Sequence, residues 1–578
     1  MRNLLRREIE RVSQLPFESR EPLRRIYETA KAKRVIETVN SVLNEVVETP
    51  GRDLDITEIN HIIYATGYLV SQIILGPAKN TDGRQQNRVN SSVPPWMNRI
   101  MKRIADTRRE ISFLAEASSK STHTSKVQRK IFNVEQKYQI ENDTSRLMVV
   151  EKLKEKIQAW AQRIRRYKRR IDFRVQNRLF ETDAKRFYRN LTQKPNGKAV
   201  TPSKDDVEAF WAGIWEESRS YNKDASWLQS EVDAADELVE TVEDVHQFSE
   251  EDLFQAIKNM GNWKSPGIDK IQIYWIKKLT AIHSHLAKAV NKIFENPKEI
   301  PEWLTRGITY LLPKAGDSSL AKNYRPITCL PVLYKVITSA IADKMYRHLD
   351  KNHLMPAEQK GCRKGSYGCK EILLLNKVIL NDVKKRKRNL SMAWIDYQKA
   401  FDSVPHDWIL KTLEIYRFHP RLVEFCKASM KSWSTRLLIH SGKEAVETRS
   451  IQINRGIFQG DSLSPLLFCI SLIPLSRQLS QADFGFKLHG DERPVSHLFY
   501  MDDLKVFAKN EAILSQMLSV VNDFSNDICM KFGLDKCAKI NLKRGKLTTS
   551  ENIEIDTHTV IQDLEPGKTY KYLGIEEC

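Results

Sequence analysis

The pattern of apolar and polar positions changes character about a third of the way along the chain. From Met1 to about Asn190, apolar residues recur at helical intervals in a basic background, broken by polar stretches at Gly76–Pro95 and Ala117–Lys126. The most regular segment sets Val150, Leu153, Ile157, Trp160, Ile164, Tyr167 and Ile171 at alternating spacings of three and four, which predicts one long helix packed along a single seam. Thr192–Asp206, rich in Pro, Gly, Lys and Ser, reads as a linker, and Glu231–Glu251 as an acidic helical stretch. Beyond it, short apolar runs alternate with helical periodicity. Turn signals such as Lys264-Ser265-Pro266-Gly267 and Leu312-Pro313-Lys314 punctuate them, which predicts mixed α and β organisation. No internal repeat at solenoid spacing is present.

Three of the apolar runs carry candidate chemistry. Leu390–Asp396 reads as a buried strand ending on an acid, followed by Phe401-Asp402-Ser403-Val404-Pro405-His406. Val495–Tyr500 and Leu504–Phe507 read as the arms of a hairpin with Met501-Asp502-Asp503 at its turn. A carboxylate at a strand end can project into a cleft, and adjacent acids at a turn are both open to a metal ion. Carboxylate oxygens suit Mg²⁺, and two such ions about 4 Å apart activate a sugar hydroxyl and neutralise a pyrophosphate leaving group in phosphoryl transfer. Taken alone, an Asp-Asp turn is more often a solvated turn.

Composition narrows the partners. The 578 residues, 41% of them hydrophobic, can build two or more cored domains. A net charge of +20 favours a polyanion, with nucleic acid ahead of an anionic membrane surface. Arg163, Arg165, Arg166, Lys168, Arg169 and Arg170 form a dense run that suits RNA phosphates, the plain alternative being a solvated face of a bundle helix. The N-terminus lacks a signal-peptide core and the longest apolar run, Leu466–Leu475, is too short for a bilayer. An intracellular protein of cytoplasm and nucleus, not secreted and with no membrane partner, is therefore expected. Eight scattered cysteines, without zinc-site spacing, are expected as free thiols.

In order and in residue choice, the segments from about Trp263 to Cys578 resemble the reverse transcriptases of non-LTR (LINE-type) retrotransposons. Besides the acids, the likeness is carried by Leu312-Pro313-Lys314 with Gly316-Asp317, Asn323-Tyr324-Arg325-Pro326-Ile327, Glu358 through Arg363, Gly456 through Phe468, Gly533-Leu534 with Lys536-Cys537, and Lys571-Tyr572-Leu573-Gly574. The resemblance implies an α+β right-hand polymerase fold, with fingers and an antiparallel palm sheet flanked by helices, preceded by a basic, mostly helical region. The expected boundaries are 1–190 for that extension, 191–250 for the linker and acidic segment, 251–390 for the fingers, and 391–578 for the palm up to the primer-grip block. The helical thumb, the zinc fingers and the endonuclease of full elements are not expected within the chain.

The same resemblance implies RNA-directed DNA polymerisation on a DNA primer or nicked target, with an RNA template, deoxynucleoside triphosphates, and two Mg²⁺ ions for which Mn²⁺ could substitute. Asp396, Asp502 and Asp503 would be the metal carboxylates, Asp396 and Asp502 bridging both ions. Phe401 would be the aromatic that leaves no room for a 2′-hydroxyl. Lys314 and Arg325 would meet the incoming triphosphate, and Gln459-Gly460 would bring backbone close to template and nucleotide, ahead of Ser464 as helix N-cap and Pro465 as first helical residue. Lys536 would protonate pyrophosphate. Met501 stands where most of these enzymes have Ala, which leaves template and fidelity properties open. The alternative readings are a catalytically inactive RNA-binding remnant of such an element and a group II intron-type maturase; an RNA-dependent RNA polymerase is disfavoured by Phe401.

Overall fold

The computed structural model describes all residues except 48–52, 77–93, 118–123, 183–200, 243–246, 315, 442–443, 482–483, 566 and 578. The chain forms two compact units, one of residues 1–78 with 200–578 and one of residues 79–199. The smaller unit holds helices Pro95–Ala117, Ser125–Tyr138 and Asp143–Thr182. Leu114, Val134 and Leu153 make its buried core, and Trp96 meets Tyr167 edge-on at 5.0 Å. The long helix covers the predicted seam, although Ile171 at the end of that seam is exposed.

The expected boundary near residue 190 does not coincide with these units, because residues 1–78 pack into the larger one. A buried polar chain ties them in. Arg20 donates to Asn60 Oδ1 at 2.6 Å, and Asn60 Nδ2 donates to Asp269 Oδ2 at 3.1 Å. The expected linker also ends earlier. Ser203 Oγ accepts from Asp206 N, so residues 204–206 open the helix Lys204–Trp215, while 191–200 lie outside the described residues. The acidic stretch forms two separate helices, Leu228–Leu238 and Glu250–Asn259, the second started by a Ser249–Asp252 capping box.

Two sheets organise the remainder. One takes β1 (Arg306–Pro313) and β2 (Tyr324–Cys329) as an antiparallel hairpin. The other is built around β3 (Leu390–Ile395). The pair β4 (Ser434–Ser441) and β5 (Glu444–Gln452) joins the first sheet, with β4 parallel to β1. Strands from the segment expected to be palm thus complete a mixed fingers-side sheet, in the order β2-β1-β4-β5. After the short pair β6 (Phe486–Lys487) and β7 (Pro494–Val495) come β8 (His497–Tyr500), β9 (Asp503–Ala508), β10 (Ala538–Lys543) and β11 (Lys546–Thr548). With β3 these four make the antiparallel palm sheet, in the order β11-β10-β3-β9-β8. The small hairpins β12 (Ile553–Glu554) with β13 (Val560–Ile561), and β14 (Tyr570–Tyr572) with β15 (Ile575–Glu577), follow.

Every residue of β3 is buried, which is why its sequence runs apolar instead of alternating. Leu390, Met392 and Trp394 pack with Ile372, Ile379 and Val383 of helix Cys369–Arg386. Ala393 and Ile395 belong to the main core, which includes Leu514, Met517 and Val521 of helix Glu511–Asp527. The last hairpin is fixed to the palm by buried Lys505, whose Nζ donates to Glu577 Oε2 at 2.6 Å. Among the described residues, no helix is long and apolar enough to cross a membrane.

Candidate active site

Strand register brings the acids together. In the β3–β9 ladder Ile395 faces Leu504, and in the β8–β9 hairpin Tyr500 faces Asp503. Asp396 is the next residue past β3, so the same register sets it opposite Asp503, where Cα atoms of neighbouring strands stand roughly 5 Å apart. Met501 and Asp502 make the two-residue turn, with Met501 at φ +57°, a left-handed conformation that disfavours a non-glycine residue.

That turn is held from outside. Gln359 Oε1 accepts from Met501 N at 3.1 Å and from Gly361 N at 2.9 Å, and Gln359 Nε2 donates to Met501 O at 3.4 Å. Phe499 N donates to Glu358 O at 3.0 Å, and Lys360 N donates to Phe499 O at 2.9 Å. A Cβ on Gly361 would lie 2.7 Å from Met501 N, so glycine lets the segment approach this closely. On the other side, Gly533 N donates to Asp396 O at 2.7 Å and Lys536 Nζ donates to Asp396 Oδ2 at 2.7 Å. Tyr570 stacks on Trp394 at 4.5 Å and its hydroxyl donates to Lys536 O at 2.7 Å, so β14 supports the lysine loop.

Burial and neighbouring negative charge oppose the ionisation of Asp502 and Asp503. Burial, followed by the charges of Asp502 and Asp396, pushes Asp503 up to about 7, against the pull of Lys536. Asp502 is also raised, by burial and by Asp396, with its own backbone N–H, Arg325 and Lys314 opposing. For Lys536 burial alone would lower the ammonium, but the hydrogen bond and charge of Asp396, with Asp535 and Asp502, raise it. Among the described residues no three His, Cys, Asp or Glu side chains form a ready metal cage. An open set of mutually repelling carboxylates nevertheless fits Mg²⁺, which takes one or two carboxylates and completes its shell with water and phosphate oxygens.

Of the other expected residues, Lys314 and Arg325 act on the charge of Asp502. Lys314 follows β1 and its N–H donates to Asn323 O at 2.7 Å, closing the β1–β2 hairpin; Arg325 is exposed on β2 opposite Leu312. Desolvation, with the positive charges of Arg325 and Lys536, lowers the Lys314 ammonium. Phe401 lies half-buried and stacked on Phe468, with centroids 4.8 Å apart and planes at 16°. Gln459 O accepts from Thr328 N at 2.8 Å and Gln459 Nε2 donates to Asp402 Oδ2 at 3.3 Å. Gly460 has φ +137° and a Cβ there would lie 2.3 Å from Thr328 O, which restricts the position to glycine. One local expectation changes: the helix begins at Ser464 itself, with Leu463 at the cap position and no side-chain cap bond. The preceding turn is held by Asp461, which accepts from Thr338 Oγ1 at 2.6 Å and from Leu463 N at 3.3 Å.

Sequence reasoning gave no role to Asp402 or Lys399, although Asp402 stands beside Phe401 in the same motif. Asp402 is 2% exposed and burial pushes it up to about 7, against Lys399 and Lys314. Burial and Lys314 bring Lys399 down to about 8; its Nζ donates to Lys322 O at 2.9 Å and Tyr324 O at 3.1 Å and lies 4.4 Å from the Trp211 ring centroid. Lys399 thus joins the start of β2 to helix Lys204–Trp215.

Residues 312–576, which include all nine expected site residues, match the family described as reverse transcriptase (RNA-dependent DNA polymerase). The chain is 25% identical over 342 residues to the transposon TX1 149 kDa protein of Xenopus laevis, covering 56% of this chain and 24% of that protein. It is 24% identical over 417 residues to the Pol polyprotein of the type-2 retrotransposable element R2DM of Drosophila melanogaster, covering 72% of this chain and 37% of that one. With the Pol polyprotein of the type-1 retrotransposable element R2 of Popillia japonica it shares 27% identity over 335 residues, 56% of this chain and 44% of that relative. The chain thus spans less than half the length of each of these relatives. Residues 312–576 thus carry the reverse transcriptase segment, and the chain around it is similar to the polymerases of non-LTR retrotransposons.

Proposed function

We propose that the cleft between β1–β2 and the palm sheet carries out RNA-directed DNA synthesis, adding deoxynucleotides to a DNA 3′ end along an RNA template. The observation that carries this reading is the convergence of Asp396, Asp502 and Asp503 through the β3–β9–β8 register, with Lys314, Arg325 and Lys536 acting on the same carboxylates. Asp396 and Asp502 are the residues that would hold the divalent ions, with Asp503 in support. Mg²⁺ bound there, or Mn²⁺ in its place, would supply the charge that activates the primer hydroxyl and neutralises the leaving group. Lys314 and Arg325 receive the triphosphate, Arg325 with the planar donor pair that suits phosphate oxygens. Gln459 and Gly460 form the wall against template and nucleotide, and Phe401 excludes the 2′-hydroxyl. Lys536, protonated beside Asp396, is the group available to hand a proton to pyrophosphate.

The test is primer extension by the purified chain on an annealed RNA template and DNA primer with Mg²⁺. Wild type is expected to extend, and Asp396→Asn and Asp502→Asn to fall to background with unchanged circular dichroism. Extension by either variant at the wild-type rate would overturn the reading.

A further inference from the structure

The cysteines among the described residues are free thiols, and two of them meet behind the turn that carries Asp502. Cys362 follows Gly361 in the segment that holds the β8–β9 turn, and Cys469 lies in helix Ser464–Ser471. The Cys469 thiol donates a hydrogen bond to the Cys362 sulfur. Cys469 Sγ also lies 3.9 Å from Gly361 O and 3.5 Å from Met501 Sδ. The two thiols and the Met501 side chain therefore pack as one group.

Backbone on both sides of this group is constrained. Cys362 and Met501 stand at φ +52° and +57°, left-handed conformations that a non-glycine residue keeps only while its surroundings enforce them. Gly361 lies against Met501 N with no room for a Cβ, so a displacement of Cys362 passes to Met501 and to Asp502 beside it. The two sulfurs differ in access. Cys469 is buried, whereas Cys362 is partly exposed and lines a cavity of about 640 Å³ with Tyr346, Lys360, Lys364 and Tyr500. The hydrogen bond from Cys469, joined by the charge of Lys364, holds the Cys362 thiol below its usual range against the effect of burial. The same bond, and then burial, raises Cys469. A small reagent in the cavity thus meets the more readily ionised sulfur first, with a second sulfur directly behind it.

We infer that Cys362 and Cys469 are a reversible, peroxide-sensitive thiol pair whose disulfide displaces the Met501–Asp502 turn. In the first step the Cys362 thiolate attacks one oxygen of hydrogen peroxide. An S–O bond forms, the O–O bond breaks, and the departing hydroxide takes up the proton that Cys362 released. In the second step the Cys469 sulfur attacks the sulfenic sulfur of Cys362. The S–S bond forms, the S–O bond breaks, and the departing hydroxide takes the Cys469 proton. The two sulfurs together lose two electrons, the peroxide gains them, and two molecules of water leave. An added dithiol reverses the change by exchange. A covalent bond draws the sulfurs closer than any packing contact, so Cys469 shifts against Met501 or Cys362 shifts with its segment. The effect on DNA synthesis rests on the polymerase reading; the linkage itself does not.

The experiment treats the full chain, reduced and freed of reductant, with hydrogen peroxide and then N-ethylmaleimide. Peptide mass spectrometry is expected to find Cys362 joined to Cys469, and hydrogen exchange to change in the peptide that contains Met501. Extension of a DNA primer on RNA should slow at least about tenfold, a loss of the kind that a misplaced reacting group brings, and dithiothreitol should restore it. Cys362→Ser and Cys469→Ala should extend as the reduced wild type does and be unaffected by peroxide. Cys469→Ala should also stop at a sulfenic acid on Cys362 that dimedone labels; if this variant does not fold, Cys362→Ser carries the control alone. The inference is overturned if Cys362 stays a thiol or joins Cys369 instead, or if the linked chain shows unchanged exchange at Met501. It is equally overturned if Cys362→Ser loses extension to peroxide as the wild type does. A reduced chain that never extends would defeat the polymerase reading alone, since the linkage and the exchange at Met501 still decide this one.

Discussion

Phe401 and Asp402 are consecutive residues with different surroundings. Phe401 is half-buried on Phe468, and trimming it to Ala removes the bulk proposed to oppose a 2′-hydroxyl. Competition assays with matched ribo- and deoxynucleotides should then record greater ribonucleotide incorporation, and unchanged sugar selectivity would count against the gate. Asp402 is closed in and sits at about 7, well above the ordinary 3.8. The folded chain therefore keeps a proton between those values that the unfolded chain has released, so this site's stabilising contribution is full at low pH and is lost as pH rises through about 7. Asp402→Asn has no such proton to lose. In urea denaturation the variant is expected to gain on wild type by about 1 kcal/mol or more between roughly pH 5 and 8.

At the scale of elements, the β8–β9 turn depends on a segment 142 residues earlier, since the Gln359 side chain satisfies both backbone groups of Met501. Gln359→Ala would leave the N–H groups of Met501 and Gly361 without their acceptor, a loss of about 1–3 kcal/mol for each one that stays buried. Denaturation measures that loss. Primer extension should fall further than stability alone requires, because Asp502 follows Met501 in the turn and loses its fixed direction. A variant that is destabilised yet extends at the wild-type rate would separate the Gln359 bonds from catalysis.

At the scale of the molecule, the first 78 residues are part of the same compact unit as the polymerase segment. Arg20 is 3% exposed, bonded to Asn60 and stacked 4.2 Å from the Phe17 ring, and Asp269 is its buried counter-charge. Asp269→Ala removes the buried charge that reaches the guanidinium through Asn60 and leaves Asn60 Nδ2 without its acceptor, an expected cost of about 1–3 kcal/mol. Denaturant midpoints of the full chain measure it. A change within error would mean that residues 1–78 contribute little to the fold of the larger unit.

Short-range information carried much of this. The apolar run of β3, the hairpin turn at Met501-Asp502 and the long seam of helix Asp143–Thr182 were legible because strand burial, turn chemistry and helical period are set by neighbours within a few residues. The acids could be nominated from their motifs for the same reason. What the sequence left undecided involves partners far apart along the chain: β4 beside β1, Gln359 under Met501, Lys399 between β2 and Trp211, and Arg20 against Asp269. Only tertiary structure decides these, because a polar side chain removed from water takes whichever partner the packing brings within reach, and no local pattern encodes that choice.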